Sequence, residues 1–145
     1  MRTFIKSLPV ALLVLLFVYA AASKLADTGA FRRELYRQPF PHGVSDVLLY
    51  LLPLAELVTV ALLLFYRTLL AGLSAALSLL ILFTGYVALV KLGYWAQVPC
   101  SCGGILGRMS WTAHLIFNCC FLAVNLIALW IYFNDYRLIT KPDHK

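Results

Sequence analysis

Four long windows almost free of charge constrain this chain more than any other feature. They cover residues 7–23, 47–66, 68–90 and 113–133, and Glu56 is the one formally charged side chain within them. A helix needs about 20 apolar residues to cross a hydrocarbon core of ~30 Å, so each window predicts a transmembrane helix. The expected fold is therefore an all-α membrane protein, a four-transmembrane-helix bundle forming a single domain over residues 1–145. Composition agrees: 63% of residues are hydrophobic, against roughly 45–50% in soluble domains.

The net charge of +6 raises the question of nucleic acid. The basic residues are spread over loops and tails, with no basic helix and no aromatic-basic motif, which places them at the headgroups of a lipid bilayer and excludes nucleic acid as a partner. They do not orient the chain, because the 12 basic residues divide evenly between the two sides and the positive-inside rule gives a tie. Arg2, Lys6 and the apolar run that follows also satisfy the layout of a secretory signal peptide, with small residues at positions 20–23. A retained first helix is the expectation, since four helices enclose intramembrane polar groups better than three.

The connections are unequal. Residues 66–68 form a tight turn that makes the second and third helices antiparallel neighbours. The connection over residues 24–45 is long, and its stretch "FRRELYRQPFPHG" mixes Phe31, Leu35 and Phe40 with Arg32, Arg33 and Arg37. Its start predicts a short helix in the membrane interface, ended by Pro39 and Pro41. The connection over residues 91–112 lies on the same side, because the chain crosses the membrane twice between them. One face of the bundle is elaborated and the other is bare.

The second of these connections carries the chemistry, in the stretch "VPCSCGGILGRMSWTAHLIFN" at residues 98–118. Cys100 and Cys102 are separated by Ser101 alone, close enough for a disulfide if the chain turns, though so small a ring is strained and easily reduced. Gly103 and Gly104 leave room for another chain to approach the sulfurs, and Pro99 stiffens the approach. Ser110 or Thr112 can cap the last helix, whose N-terminal dipole favours a nearby thiolate. His114, in its first turn, can donate a hydrogen bond or shuttle a proton. A redox-active dithiol, a structural disulfide and a metal site that would use His114 as third ligand all fit this pattern, and the dithiol fits best, so no metal is expected.

Cys119 and Cys120 read as small packing residues within the last helix. An electron relay is the sharper reading, since Cys119 lies about 7–8 Å below His114 along the helix axis. His114, Asn118 and Asn125 share one face of that helix. Glu56, a carboxylate inside a span, is a functional-site candidate by default. Pro53 frees a backbone carbonyl near it. A Glu56–Asn125 hydrogen bond is expected from the similar depth of the two residues; Lys24 and Lys91, at the outer ends of the first and third helices, can snorkel, and Lys24 can instead reach toward Glu56.

The residues "PCSCGG" followed by "SWTAHLIFN", the "SKLADTGAF" after the first helix and the "LLPLAELVTVALLL" of the second resemble the MauE/DoxX group of redox-associated membrane proteins. The most specific part is the cysteine motif joined to Trp111, His114 and Asn118 in the pattern W-x-x-H-x-x-x-N. MauE is a methylamine-utilisation protein implicated in maturing the disulfide-rich small subunit of methylamine dehydrogenase. The wider group is similar to the four-helix disulfide-forming proteins related to DsbB and vitamin K epoxide reductase. The resemblance implies a multi-pass protein of the bacterial inner membrane, with Cys100 and Cys102 facing the periplasm and both termini in the cytoplasm. It departs from the DsbB-like pattern in having C-x-C rather than C-x-x-C, and no second cysteine pair in the first outer connection.

The functional expectation is a thiol-disulfide oxidoreductase, or an accessory to one. Cys100, Cys102 and His114 would act, with support from Gly103, Gly104, Trp111, Asn118, Glu56 and Lys24. Its partner would be an extracytoplasmic thiol-containing or thioredoxin-like protein, and a quinone would accept the electrons. The rivals are a non-catalytic scaffold with a structural C-x-C disulfide, and a small transporter or metal-handling protein.

Overall fold

The structure, a computed structural model, describes residues 2–95 and 110–140, and side chains over residues 7–95 and 110–135. Pro99, Cys100, Cys102, Gly103 and Gly104 lie outside the described residues. Among the described residues five α-helices run in chain order: α1 (Arg2–Ala26), α2 (Thr28–Tyr36), α3 (His42–Leu64), α4 (Leu69–Lys91) and α5 (Trp111–Thr140). A 3-10 turn, Tyr66–Thr68, joins α3 to α4. Four helical segments are long and apolar enough to cross a membrane: Ser7–Ala26, His42–Leu64, Tyr66–Lys91 and Trp111–Asp135. The four-helix membrane bundle expected from the sequence is the fold.

The spans close into a ring in which α1 packs on α3 and α5, and α4 packs on α3 and α5. At the bare end Thr68 Oγ1 donates to the carbonyl of Leu62 at 2.9 Å, which ties the turn to the end of α3. Gly72 lets α4 cross α3 at close range: a Cβ there would lie 2.8 Å from the Leu62 carbonyl carbon and the Leu63 nitrogen. At the other end, α4 stops in a Schellman arrangement. Gly93 takes φ +75°, its N–H donates to Val90 O at 3.0 Å, and the Tyr94 N–H donates to Leu89 O at 3.1 Å.

The bundle is filled unevenly. Leu13, Phe17, Val60, Leu63, Leu73, Ala76, Leu80 and Ala128 form one buried cluster. Most of these positions belong to the half nearer the Tyr66–Thr68 turn. The elaborated half is hollow, and α2 lies over it. Asp27 starts α2 by accepting the Ala30 N–H at 2.7 Å, the expected use of an aspartate at a helix N-cap. The helix ends at Tyr36, ahead of Pro39, close to the expected stop. It is not merely laid on a bilayer surface, because Phe31 and Leu35 are buried against the bundle and Ser45 Oγ of α3 donates to Leu35 O at 3.3 Å. Its polar side carries Arg32, whose Nη2 donates to the Tyr36 hydroxyl at 2.8 Å. That bond pushes the guanidinium pKa up from its already high value.

Gly72→Ala is expected to lower the stability of the bundle by about 1–3 kcal/mol, because backbone atoms cannot move aside for the methyl group. Gly85→Ala, where a Cβ meets nothing within 4 Å, should leave stability near that of the parent. Unfolding midpoints of the two variants in the same detergent check the contrast.

Candidate functional site

Sequence dictates a conflict in the upper half of the bundle: α1 carries a lysine in its last turn and α3 carries a carboxylate well inside its apolar run. The structure resolves it with an ion pair. Lys24 Nζ donates to Glu56 Oε1 at 2.7 Å, with the lysine side chain 12% exposed and the glutamate 1%. The same ammonium donates to Ala20 O at 3.1 Å and lies 5.8 Å from the centre of the Phe31 ring. Lys24 therefore turns back along its own helix into the bundle, as the sequence suggested it could. A lone ion at this depth is costly, and each partner makes the other tolerable.

The expected Glu56–Asn125 hydrogen bond does not form. Asn125 Nδ2 donates instead to Leu73 O at 3.3 Å, one turn into α4 and next to the bare end, while Glu56 is drawn to Lys24 near the end of α1. Counting residues along each helix placed the two at one depth. Asn125 is level with Leu73, about one turn from the start of α4, whereas Glu56 lies about two turns from the end of α3, so the two sit at different heights above the Tyr66–Thr68 turn.

His114, Asn118 and Asn125 do share the inward face of α5, and all three are buried. Ser110 caps this helix: its Oγ accepts the Ala113 N–H at 3.2 Å, and its carbonyl accepts the His114 N–H at 3.0 Å. Cys119 and Cys120 are not packed inside. Both are free thiols on the exposed surface of α5. At 3.6 residues per turn they point roughly 120° and 140° away from the face shared by His114, Asn118 and Asn125. A relay through them would run along the lipid-facing side of the helix.

A cavity of about 400 Å³ occupies the hollow half. Lys24, Glu56, Trp111, His114 and Asn118 line it together, among apolar and aromatic walls that include Phe17, Phe31, Phe83 and Phe117. Three buried polar atoms in this lining lack a hydrogen-bond partner among the described residues: Glu56 Oε2, His114 Nδ1 and Asn118 Nδ2. Leaving such a group unsatisfied costs about 1–3 kcal/mol each. Over the cavity, Gln38 and Phe40 follow α2 and meet α4. The Tyr86 hydroxyl donates to Gln38 Oε1, and the Tyr86 ring stacks between Phe40 and Trp95 at centroid distances of 5.6 and 5.7 Å.

Of the site residues named from sequence, Lys24, Glu56, Trp111, His114 and Asn118 are thus brought to one cavity. The roof residues Phe31, Gln38 and Tyr86 were not foreseen as part of it. The amphipathic spacing of Phe31 and Leu35 was the available signal for the roof, while nothing local in the sequence links Gln38 to Tyr86. Among the described residues, no group of three His, Cys, Asp or Glu side chains is placed to hold a metal ion.

The family model described as Methylamine utilisation protein MauE matches residues 1–131. No curated protein and no solved structure matches the chain. The MauE side of the resemblance is thereby shown, and nothing among the matches bears on DoxX.

Replacing Lys24 by Met should destabilise the bundle by roughly 3–5 kcal/mol, the cost of stranding a buried carboxylate, and Lys24→Met with Glu56→Gln should recover most of that loss. A double-mutant cycle on unfolding midpoints measures the coupling.

Proposed function

Because the chain belongs to the MauE family, we propose that it is a membrane-embedded thiol-disulfide redox protein acting through Cys100 and Cys102. The partner is an extracytoplasmic thiol-containing or thioredoxin-like protein, of which a disulfide-rich client in methylamine utilisation is one class. A partner thiolate attacks one sulfur of the Cys100–Cys102 disulfide and forms a mixed disulfide. The partner's second thiolate then attacks its own sulfur in that bridge, so the partner leaves oxidised and the pair here is left as a dithiol. A quinone restores the disulfide by taking two electrons and two protons to become a quinol. Reduction of a client would use the same residues in reverse.

The observation that supports this reading best is where the hollow half of the bundle lies. The cysteine pair belongs to the connection between Lys91 at the end of α4 and Trp111 at the start of α5. Trp111 and His114, just downstream, line a cavity inside the membrane-spanning region. A water-side thiol partner and a lipid-side electron acceptor can thus approach one end of the protein from different phases. His114, with Nδ1 unpartnered among the described residues, is suited to hold a proton between them. The same reading puts the protein in a bacterial inner membrane, with this end periplasmic and both termini cytoplasmic. Transport is less well supported, since Phe17 and Leu80 line the cavity and also belong to the filled core beneath it.

Cys100→Ser and Cys102→Ser, expressed separately in a bacterial host, are expected to differ. One should accumulate a reducible mixed disulfide with an extracytoplasmic protein, visible on non-reducing gels. If neither variant forms an adduct and both remain folded and functional, a scaffold with a structural C-x-C disulfide replaces this reading.

A further inference from the structure

We propose that the cavity beneath α2 is a binding site for a quinone-class ligand, its ring held between Glu56, His114 and Asn118. Its redox role rests on the function proposed above, whereas the binding itself does not.

Chemical complementarity carries the assignment. The three unpartnered atoms of the lining are of different kinds. Asn118 Nδ2 can only donate, Glu56 Oε2 accepts while Glu56 is ionised in its pair with Lys24, and His114 Nδ1 does either according to tautomer. A ligand that is a hydrogen-bond acceptor in one redox state and a donor in the other answers all three. Quinone carbonyls accept from Asn118 and His114, and quinol hydroxyls donate to Glu56 and His114. A lipid acyl chain would satisfy none of these atoms. A phospholipid phosphate would have to sit against the Glu56 carboxylate. The remaining buried atoms without a partner, Thr84 Oγ1 and Asn125 Oδ1, are not in the lining, so within it the unmet capacity is confined to these three side chains.

Shape and access agree with this chemistry. The walls offer the flat faces of Phe17, Phe31, Phe83, Phe117 and Trp111, and the volume of about 400 Å³ lies in the range of roughly 300–1,000 Å³ found for sites of small organic ligands. Leu82 lines the cavity and is also 67% exposed, so a single side chain of α4 separates the cavity from the outer surface. An apolar tail can leave by that side while the ring remains among the polar groups.

Trp111 supplies a probe. The chain holds three tryptophans, so Trp95→Phe with Trp130→Phe leaves Trp111 in the cavity wall. Trp111→Phe with Trp95→Phe leaves Trp130, which lies on the outer surface at 66% exposure. Both proteins, in phosphatidylcholine nanodiscs, would be titrated with decylubiquinone. Quenching of Trp111 is expected to saturate, while quenching of Trp130 rises without saturation as the probe partitions into lipid. Asn118→Leu should weaken the saturable phase by about tenfold, and Ala20→Phe, which fills the cavity from α1, should abolish it. Trp111 quenching that never saturates, or a saturable phase unchanged in both variants, would overturn the assignment, the first because only lipid partitioning is present and the second because the probe sits elsewhere. Saturation retained in a Cys100→Ser/Cys102→Ser protein supports the site even if no thiol exchange is found. Mixed-disulfide formation without saturable quenching removes the site and leaves the exchange.

Discussion

The Lys24–Glu56 pair is the contact on which the upper half of this protein depends. At that level a short charge-assisted bond joins α1 to α3, beside apolar packing in which Phe17 and Ala21 of α1 are buried. Its geometry reaches further than two residues. The ammonium is tethered to Ala20 O of its own helix and lies beside the Phe31 ring, so the same group that fixes α1 to α3 also meets the inner face of α2. Hydrophobic packing gives little preference among helix arrangements inside lipid, because the tails are as apolar as leucine. One buried, matched pair of opposite charges does discriminate, since any arrangement that separates the two leaves both stranded.

That pair divides the molecule into two regimes. Towards the bare end, side chains interlock, Gly72 brings α4 against α3, and Asn125 donates to a carbonyl of α4. Towards the elaborated end the helices line a cavity of about 400 Å³, and Asn118 is part of that lining. Asn118 and Asn125 lie on one face of one helix and differ only in what stands opposite. A backbone carbonyl is within reach of the first turn of α4 for Asn125, and a cavity faces Asn118. A polar residue in a membrane helix is ordinarily spent on helix-helix attachment. The two asparagines therefore differ in their amide nitrogens: that of Asn125 is spent on attaching α5 to α4, and that of Asn118 has no partner among the described residues.

Much of this was legible in the sequence, and the parts that were not share a cause. The four spans follow from windows of apolar residues, and the observed helices run beyond them because the flanking polar residues still satisfy helical geometry: α5 begins at Trp111, capped by Ser110, and α1 continues past Lys24. The inward face of α5 was readable from the spacing of His114, Asn118 and Asn125. That same spacing turns Cys119 and Cys120 outward, a consequence hidden by the habit of reading cysteine as a buried residue, which has no force where the outside is lipid. Glu56 was recognisable as special, but its partner was open between Lys24 and Asn125, since spans read from sequence do not fix how far each helix is shifted along its neighbours. The cavity itself left no local signal. It is assembled from α1, α2, α3, α4 and α5 together, and no periodicity within one helix reports the space between several.

The position of α2 closes one side of the hollow half. Phe31 and Leu35 roof the cavity, and the Tyr86–Gln38 bond with the Phe40–Tyr86–Trp95 stack fastens the end of that roof to α4. Leu82 of α4 belongs both to the lining of the cavity and to the exposed surface of the bundle. The cysteine pair, by contrast, belongs to a connection outside the spans. Trp111 and His114, which open α5 and line the cavity, are therefore the described residues that connect the cysteine-bearing stretch to the hollow half along the chain.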